Sequence, residues 1–146
     1  MRRVLASIAA TVVFAATLGA APVPNGQNAQ DLPTRPYQTG TASWYGKPFH
    51  GKTTASGEPY NMFEFTAAHR NLPLGTWVRV TNVRNGKWLV VRVNDRGPYY
   101  GKRIIDLSYG VAQLLGFRDR GVARVRLDIV EEPDTFAMAH NLPGLD

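Results

Sequence analysis

No cysteine occurs in this chain of 146 residues. That absence excludes disulfides, thiolate metal sites, a cysteine nucleophile and the lipid anchor of a bacterial lipoprotein. Acidic residues are also sparse, with 11 Asp and Glu against 17 Lys and Arg. Acid chemistry therefore has few candidates. His50, His69 and His140 show no close ligand spacing, so neither a metal site nor a cofactor is expected. No Gly-rich phosphate loop leads from a strand into a helix, and Ser43, Ser56 and Ser108 lack the nucleophile-elbow pattern.

A long uncharged run occurs once, from Val4 to Ala21, behind the basic start Met1-Arg2-Arg3 and ending on small residues. This three-part pattern predicts a signal peptide over 1–21, hence export to the periplasm or cell envelope as a soluble protein. An uncleaved anchor is the alternative, but the run is mostly alanine, and a spanning helix needs about 20 strongly apolar residues. The formal net charge of +6 is concentrated between the leader and the acidic end, since residues 131–146 contain no Lys or Arg. A basic exported domain fits cell-wall polymers or anionic membrane better than nucleic acid, which is not expected as a partner.

Residues 22–39, with Pro22, Pro24, Pro33 and Pro36 and no apolar periodicity, read as a Pro-rich linker. A domain is expected over 40–130 and an acidic tail over 131–146. "GTASWYG" predicts a short strand. Residues 47–75 are irregular and turn-rich, yet hold Phe49, Tyr60, Met62, Phe63 and Phe65, so they form a long ordered excursion. Two alternating strands flank Asn85-Gly86, the preferred pair of a type I′ hairpin turn. "RIIDL" predicts another strand. Ser108 reads as the N-cap of a short helix ended by Gly116, and "VARVRLDIV" as a last strand with Arg124, Arg126 and Asp128 outward. The chain is thus mainly β, with one or two short helices, and suggests a small closed barrel.

Among the carboxylates, Asp128, Asp119 and Glu64 read as solvated surface groups. Asp95 ends a core-patterned strand ahead of Gly97-Pro98, and reads either as an Asx-turn former or as chemistry. Asp106, between Ile105 and Leu107, reads either as a satisfied buried acid or as its partner. Glu58 lies in the turn "TASGEPY". Trp44, Tyr45, Phe49, Tyr60, Tyr99 and Tyr100 fall in irregular segments, where aromatic faces can stack on sugars as well as pack.

Taken together, "GTASWYG", "FHGKTTASGEPYNMFEFTAAHRNLPLGTWVRVTNVRNGKWLVVRVNDRGPY" and "RIIDLSYGVAQLLG" resemble the rare lipoprotein A (RlpA-like) family over about residues 40–130. The resemblance implies a six-stranded double-psi β-barrel, shared with expansins. It also implies an endolytic peptidoglycan lytic transglycosylase that cleaves MurNAc–GlcNAc β-1,4 bonds, leaves 1,6-anhydro ends and prefers strands lacking stem peptides. By motif it makes Asp95, Asp106, Glu58 and His69 catalytic candidates, with Trp44, Tyr45, His50, Tyr60, Arg96 and Tyr99 as candidate substrate contacts. Asp106 matches the expansin pattern in part, since Ile104 and Ile105 replace its His and Phe. No lipid-bearing cysteine and no SPOR domain are seen, and a monomer acting on glycan strands is expected. The alternative is a non-catalytic, expansin-like polysaccharide-binding module.

Overall fold

A computed structural model describes residues 34–133. The expected leader, residues 22–33 of the expected linker and residues 134–146 of the expected tail lie outside the described residues.

The elements in chain order are β1 (Thr34–Tyr45), a 3-10 turn (Lys47–Phe49), β2 (Thr66–His69), β3 (Trp77–Asn82), β4 (Trp88–Asp95), β5 (Arg103–Ser108), α1 (Tyr109–Leu114) and β6 (Val122–Val130). The six strands close into a barrel in the order β1-β5-β2-β4-β3-β6. Two neighbouring pairs, β1 with β5 and β2 with β4, are parallel, and the others are antiparallel. Parallel neighbours cannot be joined by a hairpin. Neither pair is consecutive in the chain, and β1 and β2 are themselves separated by β5, a gap that the excursion between them spans.

Strand alternation fills the barrel. Ala42, Ala67, Val78, Val80, Val91, Val93, Ile105, Leu107, Val125 and Leu127 are all fully buried in one core. Helix α1 starts as expected: the Ser108 hydroxyl accepts the Val111 N–H, and Val111 and Ala112 pack onto the core.

Four expectations need correction. Strand β1 begins at Thr34, so the last six residues assigned to the linker, Thr34–Thr39, pair with β6 instead. They escape notice because most of their side chains are exposed and carry no apolar pattern. Strand β2 was hidden inside the excursion. Thr-Ala-Ala-His is short and has weak β preference, but hydrogen bonding to β4 on one side and β5 on the other makes it a central strand. The β3–β4 connection is not a type I′ turn. Gly86 has positive φ (73°) but Asn85 does not, and the Asn82 N–H donates to Lys87 O at 2.8 Å across a four-residue loop. Asp128 is not solvated. It is 2% exposed and pairs with Arg79 at 3.5 Å and Arg126 at 3.0 Å.

One irregularity governs the site. On β2 and β4, Ala67 is opposite Val93, but the next residue, Ala68, is opposite Asp95. Asn94 is the extra residue of a β-bulge. Strict alternation would put Asp95 on the core face with Val91 and Val93. The bulge shifts its phase by one and turns it to the outer face beside Ala68.

Candidate active site

Ala68 is the centre of the site. It is aligned with Asp95 on one neighbouring strand and with Asp106 on the other. Cross-strand partners share a face, so both carboxylates project from the same side of the sheet, with backbones roughly 10 Å apart across two strand spacings. All three residues line one cavity of about 230 Å³. The excursion supplies its far wall through Phe49, Lys52, Thr53, Thr54 and Tyr60, and β1 contributes Tyr45.

Each aspartate is oriented through one oxygen. Asp95 Oδ1 accepts the backbone N–H groups of Ala55 (2.9 Å) and Arg96 (2.8 Å). Asp106 Oδ1 accepts the Ser43 hydroxyl and, at 3.3 Å, the Arg103 guanidinium, which also donates to Ser43 Oγ at 2.6 Å. Among the described residues no hydrogen bond reaches Oδ2 of either aspartate. Each side chain is therefore fixed in direction while one oxygen stays available to a ligand. The two differ in charge environment. Asp106 lies against a guanidinium; the fixed oxygen of Asp95 meets only backbone N–H groups.

The excursion docks onto the bulge. Ser56 N–H donates to Asn94 O at 3.1 Å, and Gly57, with φ of +88°, closes a turn by donating to Thr54 O at 3.0 Å. Positive φ is available to glycine without steric cost, which explains the glycine in "SGE". Tyr60 stacks on Tyr45 with ring centroids 4.2 Å apart, and its hydroxyl donates to Tyr45 O. Burial pushes Tyr60 up to about 12. Burial pushes Tyr45 up further, with Tyr60, Asp95 and Asp106 adding to the effect. Tyr45 thus stays a neutral hydroxyl. Neither it nor the nearby Thr66 hydroxyl has a partner of good geometry.

Tyr45, Tyr60, Arg96, Asp95 and Asp106 come together as candidates in this cleft. The other sequence candidates do not line it. Glu58 sits behind the wall in a two-pronged pair with Arg92 (2.6 and 2.7 Å) and takes the Ser56 hydroxyl at 2.8 Å. The hydrogen bonds from Arg92 and then Ser56 hold its carboxyl at about 2. An acid that stays ionised at neutral pH cannot donate the proton of a bond cleavage.

His69 follows Ala68 and faces the opposite way, into the barrel end. Its Nδ1 accepts the N–H groups of Asn71 and Leu72, both at 3.1 Å, so the proton is on Nε2, which meets Gln38 Oε1 at 3.2 Å. Burial, then Arg96 and Arg70, lowers its pKa, which keeps it neutral. Arg96 itself donates to the carbonyls of His69 (3.2 Å) and Leu72 (2.7 Å), bracing the end of β2.

Trp44 alternates inward, packs on the core and donates to Arg118 O at 3.0 Å. His50 accepts the Met62 N–H at 3.2 Å and so ties the excursion together. Tyr99 projects into solvent beyond the cleft. Among the described residues no group of His, Asp and Glu could hold a metal ion.

Sequence reasoning missed Ser43, Lys52, Thr53 and Thr54. Ser43 carried a usable signal: it alternates with Ala42 and Trp44 on β1, so it must face outward from the same strand that delivers Tyr45.

A domain profile described as lytic transglycolase matches residues 37–127. The chain belongs to that family, and its barrel is the double-psi β-barrel. More particularly, it is 53% identical over 104 residues to a protein of Neisseria meningitidis serogroup A called endolytic peptidoglycan transglycosylase RlpA. That match covers 71% of this chain and 44% of the relative, so the chain spans less than half the length of the protein it matches. Among solved structures, Streptomyces papain inhibitor superposes with a TM-score of 0.52 at 26% identity, covering 69% of this chain and all of that one. An expansin of Clavibacter michiganensis gives a TM-score of 0.53 at 22% identity over 66% of this chain and 51% of its own, a likeness of fold alone.

Proposed function

We propose that this chain is an endolytic peptidoglycan lytic transglycosylase, exported by residues 1–21 and acting as a monomer in the periplasm or cell envelope. The observation that carries this reading is the pair Asp95 and Asp106, converging on one cleft with an unengaged oxygen each, in a domain of the lytic transglycolase family.

The chemistry needs a proton delivered and then recovered. Asp95 protonates the glycosidic oxygen between MurNAc and GlcNAc as the bond to MurNAc C1 breaks. Positive charge develops on the MurNAc ring, as in glycosidases generally. Asp106, backed by Arg103 and Ser43, supplies the negative charge that stabilises it. The MurNAc C6 hydroxyl then closes onto C1, and its proton passes to the Asp95 carboxylate. A 1,6-anhydro end forms, GlcNAc leaves with a free C4 hydroxyl, and the acid is restored without water.

Phe49 offers an exposed face to the sugars in front of the stacked Tyr45 and Tyr60, and Lys52, Thr53 and Thr54 offer polar contacts along the wall. Strands lacking stem peptides are the preferred substrate. The test is digestion of denuded and peptide-bearing strands with mass analysis of the ends. Anhydro ends support the reading. Reducing ends would indicate a hydrolase, and binding without new ends an expansin-like module.

A further inference from the structure

A second and larger cavity, of about 600 Å³, opens on the outer wall of the barrel. Arg84 from the β3–β4 loop, Arg120 from the α1–β6 connection and Arg124 on β6 converge on it, and its lining contains no carboxylate. Among the described residues none of the three guanidiniums has a hydrogen-bond or ion-pair partner, although Arg79, Arg92, Arg103, Arg118 and Arg126 all have acidic ones. Three like charges around one hollow repel one another unless an anion is placed among them.

Its floor is rigid. Asn82 and Asn85 both donate to Leu115 O at 2.9 Å, which pins the β3–β4 loop that carries Arg84 against the end of α1. The arginines are thus presented from braced elements.

The cavity lies one strand beyond the site already described. On β1, Ser43 is in register with Asp106 on one side and with Val122 on the other, and Val122 lines the basic cavity. Two strand spacings, roughly 10 Å, separate Asp106 from that edge. In the neighbouring row Thr41, also in the lining, lies between Arg103 and Arg124. Arg103 therefore stands between Asp106, to which it donates, and Thr41 of the basic lining.

A guanidinium pairs with a carboxylate through two parallel N–H···O bonds, a geometry that selects planar oxyanions. A MurNAc-containing strand carries such a group on the glycan itself: the lactyl carboxylate, free when no stem peptide is attached and consumed as an amide when one is. We propose that the Arg84–Arg120–Arg124 cavity binds the free lactyl carboxylate of a MurNAc unit next to the one being cleaved. This rests on the substrate reading above, and it makes the cavity a specificity site for strands without stem peptides.

The test measures binding by the Asp95→Asn chain, which holds substrate without turning it over. Three strand preparations are compared: denuded, denuded with the lactyl carboxyls converted to amides, and peptide-bearing. The triple variant Arg84→Gln/Arg120→Gln/Arg124→Gln is measured beside it. The denuded strands should bind most tightly, and the triple variant should lose at least about tenfold in affinity for them, the scale of one lost charged hydrogen bond. It should bind the amidated strands as the parent does, and its affinity should fall less steeply with salt. The arginines lie on the surface, and an unchanged melting temperature verifies that the variant folds. A triple Arg→Lys variant keeps the charge but loses the paired geometry, and should recover binding in part. Equal affinity of parent and triple variant for denuded strands would overturn the proposal, as would equal losses on denuded and amidated strands. Failure of the parent to bind any of the three would overturn the substrate reading and this inference with it.

Discussion

Asp95 and Asp106 are held on one face of the sheet with a single residue, Ala68, between them. No regular sequence spacing encodes this relationship. It arises because β2 lies between β4 and β5 in the barrel, and because the Asn94 bulge turns Asp95 outward. Asn substitution keeps the size of each side chain and the oxygen that accepts its fixed hydrogen bonds, but removes the exchangeable proton and the charge. Asp95→Asn and Asp106→Asn should each lower release of anhydro products from denuded strands by about 10²–10⁴-fold. Melting temperatures should stay near that of the parent. Activity within threefold of the parent in either variant would remove that residue from the mechanism.

Ala68 is small and almost fully buried at the floor of the cleft. Ala68→Leu should place a branched side chain between the carboxylates. The expected cost to folding is about 1–3 kcal/mol from overpacking, with a loss of turnover of about a hundredfold from misplacement of the reacting groups. Ala68→Ser should preserve both. Urea unfolding beside product assays separates the two effects.

Glu58 belongs to the stability of the cleft wall. Its carboxyl is held near 2 against an ordinary 4.5, chiefly by Arg92. Between those values the unfolded chain binds the extra proton, so the stabilisation is present above pH 4.5 and lost as the pH falls toward about 2. The pair is partly exposed (28% and 39%), so solvent screening keeps its contribution small. The melting-temperature gap between the parent and Glu58→Gln should narrow steadily as acid is added. A gap that does not change with pH would refute the pairing.

His69 should behave in the opposite sense to an ion-paired histidine. Its folded pKa lies below the ordinary 6.5, so protonation favours the unfolded chain. Stability should be complete above pH 6.5 and decline as the pH falls below it. His69→Leu removes the acceptor of the Asn71 and Leu72 N–H groups and should cost about 1–3 kcal/mol for buried groups left unpaired. It should also flatten the decline below pH 6.5 seen in the parent. Denaturant titrations across that range measure both quantities.

Asp128 is the buried acid of the far wall. Asp128→Asn leaves Arg79 in the interior, 9% exposed, without its charge partner. The expected loss is about 3–5 kcal/mol, the range for breaking a buried pair from one side. Asp119→Asn, at a pair whose acid is 85% exposed, should be nearly neutral and serves as the comparison.

What the sequence made legible follows from what strands record. Alternation marked Val78, Val80, Leu89, Val91, Val93, Val125 and Leu127 as core, because burial on one face needs an apolar residue at every second position. It missed β2, since four residues are too few to establish a period. It placed Asp128 outside because its alternation matched Arg124 and Arg126, whereas Arg79 on the neighbouring β3 covers it. The motif resemblance named both aspartates, but composition gave no sign that Glu58 and His69, named with them, face away from the cleft. Glu58 is turned away by Arg92, thirty-four positions later in the chain. His69 is turned away because it follows Ala68 on a strand, and adjacent strand residues point in opposite directions.

Strand β4 can be regarded as having a reading frame. Up to Val93 its residues are read in one phase, inward then outward. Asn94 shifts the frame, and Asp95 is read in the other. Were Asn94 drawn into the regular ladder instead, every other strand of the barrel would be unchanged, yet the same aspartate would be read as an unpaired charge on the core face. The direction of Asp95 is thus set by where Asn94 leaves the ladder, and not by the apolar alternation of β4 that the rest of the strand obeys.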